Sequence, residues 1–359
     1  MSHDLNYQIS NIKNNLMRPT YAEIDLAAAR HNIKRICEIV GPQVKVLSMV
    51  KAEAYGHGLR AIAQTAIEAG ASALGFATLS EALTLKDAPV KVPLMVLGWT
   101  PDWLTAVAVK SDIICTLFDL ETAAAFAQAA QALGKVAHVH VKVDTGMGRL
   151  GFLPAEAPEA IAQIAAMPGL ALDGVFTHFA KADEADRSYT LQQIEKFKRV
   201  FEQVEAKGIA VPLKHACNSP GMLRYPEAHF DMVRPGIIQY GLDPSDDIPC
   251  PIDFKSVLSL KTMIASVKVL PPGSRVSYGG TYITQGYEKI AVLPIGYADG
   301  FRRKPNNWGE VLVHGRRAPI VGRVCMDQAM INVSHIENVK QGDEVVLVGA
   351  QSGEQGEDH

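Results

Sequence analysis

VKVLSMVKAEAYGHGLRAIAQTAIEAG (residues 44–70) contains the repeating unit of the fold in one stretch. VKVLSMV (44–50) is a run of apolar and β-branched residues, the composition of a strand buried on both faces. GLRAIAQTAIEAG (58–70) places apolar residues at helical spacing and closes on Gly70, a usual helix stop. The turn between them, KAEAYGHG (51–58), is neither GxGxxG nor GxxxxGKS/T. It therefore lacks the glycine loop with which an open doubly wound sheet grips a nucleotide phosphate.

The alternation recurs outward from this unit. ALGFATL, VPLMVLGW, IICTLF, VAHVHVKV, LDGVFTHF, PLKHAC and DMVRPGII read as further strands. Helical stretches such as LETAAAFAQAAQALG (120–134) and TLQQIEKFKRVFEQVEAKG (190–208) lie between them. Eight buried strands joined mostly by helices, over roughly 200 residues, predict an α/β fold in which a parallel sheet closes into a (β/α)8 TIM-like barrel. The open doubly wound sheet is the alternative. After about residue 250, SVLSLKTMIASVKVL, SRVSYGGTYIT, KIAVLPIGY, GEVLVHG and DEVVLVG are short β-like runs broken by Gly, Pro and charged turns. The expected division is a barrel over 20–248 and a C-terminal mainly-β domain over 249–359, with DPSDDIPCP (243–251) at the boundary. Residues 1–19 are expected to form an extension that packs on the C-terminal β domain or is flexible.

Composition excludes several function classes. Hydrophobic residues make up 48% and charged residues 20%, which is too apolar for a disordered chain. A net charge of −3 with no basic block gives no electrostatic footprint for nucleic acid or an anionic membrane. The five cysteines are odd in number and form no CxxC pair, so neither a metal site nor a disulfide framework is expected. The polar start MSHDLNYQISNIKNNL is no secretory signal, and no apolar run reaches the roughly 20 residues that span a bilayer. A cytoplasmic protein is the expectation.

Barrel chemistry gathers at the carboxyl ends of the strands. Lys51, Asp144, Arg149, His178, Asn218 and Ser219 fall at or after strand ends, Lys142 lies within the fifth strand and Arg234 within the eighth, and Pro235, Gly236 and Ile237 follow Arg234. Each has a plain structural explanation alone: a solvated lysine, a core histidine, a helix cap at Asn218–Ser219. Together they would converge on one mouth. A lysine there is a Schiff-base candidate, and lowering it from about 10.4 to about 7.5 requires about 4 kcal/mol. The loops after the seventh and eighth strands are the usual phosphate cradle of a barrel. Pyridoxal phosphate and an aldolase-type sugar phosphate both satisfy this pattern, and spacing leaves the two open.

VKAEAYGHG (50–58), KVDTGMGRLG (142–151), FTHFA (176–180), HACNS (215–219), MVRPGIIQYG (232–241), RVSYGGTYIT (275–284), IGYADG (295–300) and VGRVCMDQ (321–328) resemble, in order, the motifs of the alanine racemases. That family is two-domain and dependent on pyridoxal 5'-phosphate. The resemblance implies that Lys51 carries the cofactor and is one of two acid/base groups. It implies that Tyr55, Ser219, Gly236 and Ile237 hold the phosphate with Asn218 beside them, and that Arg234, held by His178, faces the pyridine nitrogen. Arg149 would meet the cofactor and the substrate carboxylate, steadied by Lys142, which is carbamylated in many members. Tyr278, the opposing acid/base group, would come from the partner of a homodimer, as would the substrate-contacting Met326 and Tyr297. Asp183, Arg303 and Arg323 would line the corridor to the site.

The implied activity is racemisation of L- and D-alanine, a small-molecule amino acid, supplying D-alanine for peptidoglycan. A serine or broad-specificity racemase and a weakly active pyridoxal-phosphate-binding protein are the alternatives. Two departures bear on this. Glu53 stands where the family usually has Asn or Asp, and the chain stops at GAQSGEQGEDH (349–359) without the tyrosine-bearing segment that follows in the family. Glu53 is expected to be a tolerated loop change that alters the local charge near Lys51, and the missing segment to alter the gate, substrate range or rate.

Overall fold

The computed structural model describes residues 18–86, 91–304 and 306–351. The described residues fall into two compact units. One is Asp25–Val257; the other joins the residues up to Ile24 with those from Leu258 onward.

In the first unit, strands β2 (Lys45–Met49), β3 (Ala73–Phe76), β4 (Leu94–Val96), β5 (Ile114–Leu117), β6 (Ala137–Lys142), β7 (Leu170–Phe176), β8 (Leu213–His215) and β9 (Met232–Val233) form a closed parallel barrel in sequence order. Closure comes from β2 pairing with β9, Lys45 opposite Met232 and Val46 opposite Val233. These are the eight predicted strands, and helices Leu59–Ala69, Leu120–Leu133 and Ser188–Ala206 match the predicted helical stretches. Asp119 caps the second of these by accepting the Thr122 N–H at 2.6 Å. Inside the barrel, Leu47, Met49, Ala73, Met95, Phe176 and Met232 form one apolar cluster. Mostly buried strands such as Ala73–Phe76 and Leu94–Val96, apolar on both faces, hold the barrel together.

The second unit is mainly β. Strand β1 (Tyr21–Ile24) lies at one edge of a five-stranded sheet, followed by β10 (Leu258–Met263), β18 (Glu344–Val348), β15 (Glu310–Val313) and β16 (Arg316–Pro319). A second sheet contains β11 (Ser266–Leu270), β14 (Glu288–Leu293) and β17 (Ala329–Asn332), and β12 (Arg275–Val276) pairs with β13 (Tyr282–Ile283). Leu293, Phe301, Val311, Ile331 and Val345 are among the residues of its core.

Two boundaries differ from expectation. The sequence places residue 20 at the start of the barrel, but β1 pairs antiparallel with β10, Tyr21 opposite Lys261 through Ile24 opposite Leu258. Its partner is far away in sequence, so no local pattern reveals it. Residues 249–257, expected in the β domain, belong to the barrel unit. Buried Asn32 draws them in, with Nδ2 donating to Lys255 O at 2.7 Å and Oδ1 accepting the Lys255 N–H at 2.8 Å. Most of the 1–19 extension lies outside the described residues, as do 352–359. Arg18 donates to the Asp299 carboxylate at 2.8 Å in the β unit. Among the described residues no helix is long and apolar enough to cross a membrane.

Candidate active site

The barrel mouth opens into a cavity of about 440 Å³. Lys51, Tyr55, Lys142, Arg149, His178, Asp183, Asn218, Ser219, Arg234, Gly236 and Ile237 all line it. Of the barrel-mouth residues singled out in the sequence, Asp144 and Pro235 are not part of this lining.

Lys51 follows β2 and begins an unusual turn. Ala52, Glu53, Ala54 and Tyr55 all lie in the left-handed region, with φ between 51° and 56°. Each such L-residue costs about 1–2 kcal/mol relative to its right-handed form. The turn closes on itself through Ala54 N–H to Val50 O and Gly56 N–H to Ala52 O, both 2.9 Å. It sends both Lys51 and Tyr55 into the cavity, with Nζ 5.8 Å from the Tyr55 ring centre. Burial and then the charge of Arg149 pull the Lys51 amine below its ordinary range. Burial pushes the Tyr55 phenol up, so it remains a donor. The Glu53 carboxylate accepts the Leu59 N–H at 3.4 Å at the start of helix Leu59–Ala69. Its expected influence on the local charge is therefore spent on a helix N-terminus.

On the opposite wall, the Ser219 hydroxyl oxygen accepts the Gly236 N–H at 2.9 Å. Its own O–H stays available to donate. A Cβ at Gly236 would sit 2.5 Å from the Tyr55 hydroxyl oxygen, so only glycine lets these elements approach. Asn218 Oδ1 accepts the Gly221 N–H at 3.1 Å and caps helix Ser219–Arg224, which is the plain structural role weighed for it.

The floor is polar and fully enclosed. Arg234 NH2 donates to Thr177 O at 2.7 Å and Ala216 O at 2.8 Å, and lies 3.3 Å from His178 Nδ1. Its closer imidazole partner is His215, whose Nδ1 is 2.8 Å from NH1. His215 Nε2 in turn lies 2.8 Å from His140 Nδ1. A guanidinium only donates, so His215 carries its proton on Nε2 and passes it as a donor to His140. Burial, reinforced by the Arg234 charge, holds all three imidazoles neutral, with His140 pulled to about 3. Burial lowers Arg234 to about 10, which still leaves it protonated.

Arg149 arrives on a loop folded around Asp144. One carboxylate oxygen accepts the N–H groups of Gly146, Met147 and Gly148, and the other accepts the N–H of Arg149 at 2.9 Å. Lys142 is buried at the end of β6, and desolvation, then the charges of Arg149 and Arg234, lower it to about 8.

Within the β unit, Tyr278, Tyr297 and Met326 are exposed at 64%, 40% and 54%; Val269, Ile283 and Tyr287 are exposed as well. The Tyr297 and Ala298 N–H groups donate to Cys325 O and Met326 O, so these two segments are adjacent. Arg303 stacks over the Tyr297 ring at 5.4 Å. Ser277, just before Tyr278, has φ 63° and ψ −175°, a region otherwise left to glycine, and donates its hydroxyl to Arg323 O at 2.5 Å.

Sequence reasoning missed His215 and His140 as the support of Arg234. Both lie in quoted stretches, and the alternation His138, His140, Lys142 on one strand was the available signal.

The family model for the alanine racemase N-terminal domain matches residues 24–244, and that for the C-terminal domain matches 257–358. The chain is 46% identical to the alanine racemase of Desulfovibrio desulfuricans over 92% of its length and 90% of that protein's. It is also 46% identical to that of Halothermothrix orenii, over 94% of this chain and 89% of the relative. Among solved structures, alanine racemase from Bacillus anthracis with bound L-Ala-P superposes with a TM-score of 0.88 at 37% identity, covering 96% of this chain and 88% of that one. The order of motifs, the closed barrel with its β unit, and these likenesses agree: the chain belongs to the alanine racemase family.

Proposed function

We propose that this chain is a cytoplasmic, homodimeric, pyridoxal 5'-phosphate-dependent enzyme that interconverts L- and D-alanine and supplies D-alanine for peptidoglycan. The observation that carries the proposal is the convergence of a desolvated lysine, a buried guanidinium and a hydroxyl-and-amide cradle on one cavity. These residues fit the cofactor. Lys51 has the lowered basicity that a carbonyl-binding amine needs. The bare backbone at Gly236, beside the Tyr55 and Ser219 hydroxyls, suits a phosphate.

Bound there, the cofactor would supply an electron-withdrawing ring that makes the Cα proton of an amino acid removable. Lys51 would anchor it and serve as one acid/base group, its depressed pKa bringing it toward working pH. Tyr55, Ser219, Gly236 and Ile237 would hold the phosphate, with Asn218 beside them. Arg234, backed by His178, would donate to the ring nitrogen while keeping its own proton, which confines proton traffic to the groups at Cα. Arg149 would receive the substrate carboxylate. Lys142 at about 8 has an appreciable neutral fraction near pH 7–8, the form that reacts with CO2, and its carbamate would place a negative charge beside Arg149.

Inversion needs a second group on the other face of Cα, because one base cannot serve both. Tyr278 of a second copy is the proposed partner, accompanied by Met326 and Tyr297, with Asp183, Arg303 and Arg323 along the corridor. Their exposure in the β unit supports a role toward another chain.

The test combines visible absorbance after adding pyridoxal phosphate with a coupled D-alanine assay, run on L-alanine and L-serine. Lys51→Ala should lose both signals; turnover at the parent rate would overturn the proposal. Tyr278→Ala should lose solvent-deuterium exchange at one face only, and equal loss from both enantiomers would overturn the two-base pairing. Cofactor uptake by the parent with no racemisation would favour a carrier.

A further inference from the structure

The left-handed turn is braced at both ends by side chains outside the cavity lining. Glu81 Oε1 accepts the Ala52 N–H at 2.8 Å, the amide immediately after Lys51. Glu81 Oε2 accepts the Ala77 N–H at 2.9 Å and the Thr78 N–H at 3.2 Å. At the far end, His57 Nδ1 lies 3.1 Å from Ala54 O and 3.0 Å from Tyr55 O. Two carbonyl partners require the proton on Nδ1. The same tautomer leaves the buried His57 Nε2 without a hydrogen-bond partner, a penalty tolerated while Nδ1 fixes the turn.

Part of the Glu81 geometry has a simpler cause. Glu81 is the third residue of helix Leu79–Leu83 and forms a reciprocal capping box with Thr78. That box requires only the bonds between Thr78 and Glu81. It requires neither the Ala52 nor the Ala77 bond. Those two link the backbone after β2 to the backbone after β3, at the mouth of the barrel.

A run of L-residues in the left-handed region persists only where its surroundings over-determine it. This run carries Lys51 at its start and Tyr55 at its end. We infer that Glu81 is a positioning residue for Lys51, its carboxylate fixing the start of the turn that sets the lysine and Tyr55 at their separation. The inference rests on the reading that Lys51 holds the cofactor. Its negative charge also acts on Lys51 directly, opposing the fall in basicity that burial and Arg149 cause.

The experiment compares Glu81→Gln and Glu81→Ala with Thr78→Ala, which breaks the same cap but leaves the Ala52 bond. Lys51 reactivity toward cyanate is followed against pH on the full chain without added cofactor, read by mass spectrometry of the Lys51 peptide. Uptake of pyridoxal phosphate is followed by visible absorbance. Loss of the charge predicts that both Glu81 variants move the Lys51 titration to lower pH. Loss of the Ala52 bond predicts that Glu81→Ala also changes the limiting cyanate rate and slows cofactor uptake about tenfold, while Glu81→Gln, whose amide oxygen still accepts the Ala52 N–H, changes these two less. Thr78→Ala should change neither. Should Thr78→Ala reproduce the Glu81 variants, or should Glu81→Ala match the parent in limiting cyanate rate and cofactor uptake, the inference is wrong. The cyanate titration needs no cofactor, so it decides this point even if Lys51 proves not to be the cofactor's anchor.

Discussion

The Arg234 guanidinium and the His215 imidazole share a 2.8 Å hydrogen bond in the closed interior of the barrel. His215 is fully buried, and its other nitrogen reaches His140 at 2.8 Å. The three side chains form a relay of fixed direction, with donors pointing from the cation inward.

Replacing His215 by Leu removes the acceptor of Arg234 NH1 and the donor to His140 together. Losing a hydrogen bond to a buried charge costs about 1.5–3 kcal/mol. Thermal denaturation of His215→Leu should show a midpoint lower by roughly 5 °C. A midpoint equal to the parent's would mean that Arg234 does not depend on this bond.

Gly236→Ala probes the close approach of the cavity backbone to Tyr55. The added methyl would meet the Tyr55 hydroxyl at 2.5 Å, and the Tyr55 ring is packed against Tyr240 at 5.1 Å between ring centres. Tyr55 must therefore yield, and affinity for pyridoxal phosphate, titrated by absorbance, should weaken at least about tenfold, or about 1.4 kcal/mol. Unchanged affinity would remove Tyr55 and Gly236 from the phosphate site.

Lys142 sets a pH-dependent prediction. Its folded pKa of about 8 lies below its free value of 10.5. At pH 7 the buried amine is mainly protonated in both states, and folding bears the full penalty, roughly 3 kcal/mol for that gap. Above 10.5 neither state is charged and the penalty is gone. In buffer freed of CO2, Lys142→Met should therefore be more stable than the parent below about pH 8, with the gain shrinking as pH rises toward 10.5. Denaturant melts across that range check it, and a gain that grows with pH would contradict it. In CO2-equilibrated buffer a carbamate paired with Arg149 should reverse the order at pH 7.

The barrel was legible because most of its strands lie in predominantly apolar runs, separated by helical stretches, that need no partner to be recognised. β16 and β17 were not: RRAP is charged and ends in proline, and AMIN is four residues long. The cavity lining was legible because barrel strands deliver their carboxyl ends to one place whatever the loops do. The handedness of residues 52–55 was not. Ala, Glu, Ala and Tyr carry no glycine or asparagine to announce positive φ, and they suit an ordinary right-handed turn. A tertiary bond from Glu81 and local bonds from His57 accompany the opposite hand. His215 went unassigned for a similar reason, since its partners come from β6 and from the residue after β9.

The placement of β1 has a consequence for biosynthesis. The ribosome releases Tyr21–Ile24 long before its hydrogen-bonding partner Leu258–Met263 exists. At about 5–20 residues per second the interval is roughly 10–50 s. Over that time the nascent barrel can close on its own contiguous segment while the earliest strand waits with unmatched amides. Keeping that strand to four residues, with Glu23 at its centre, limits what a neighbouring nascent chain could zip onto before the proper mate emerges.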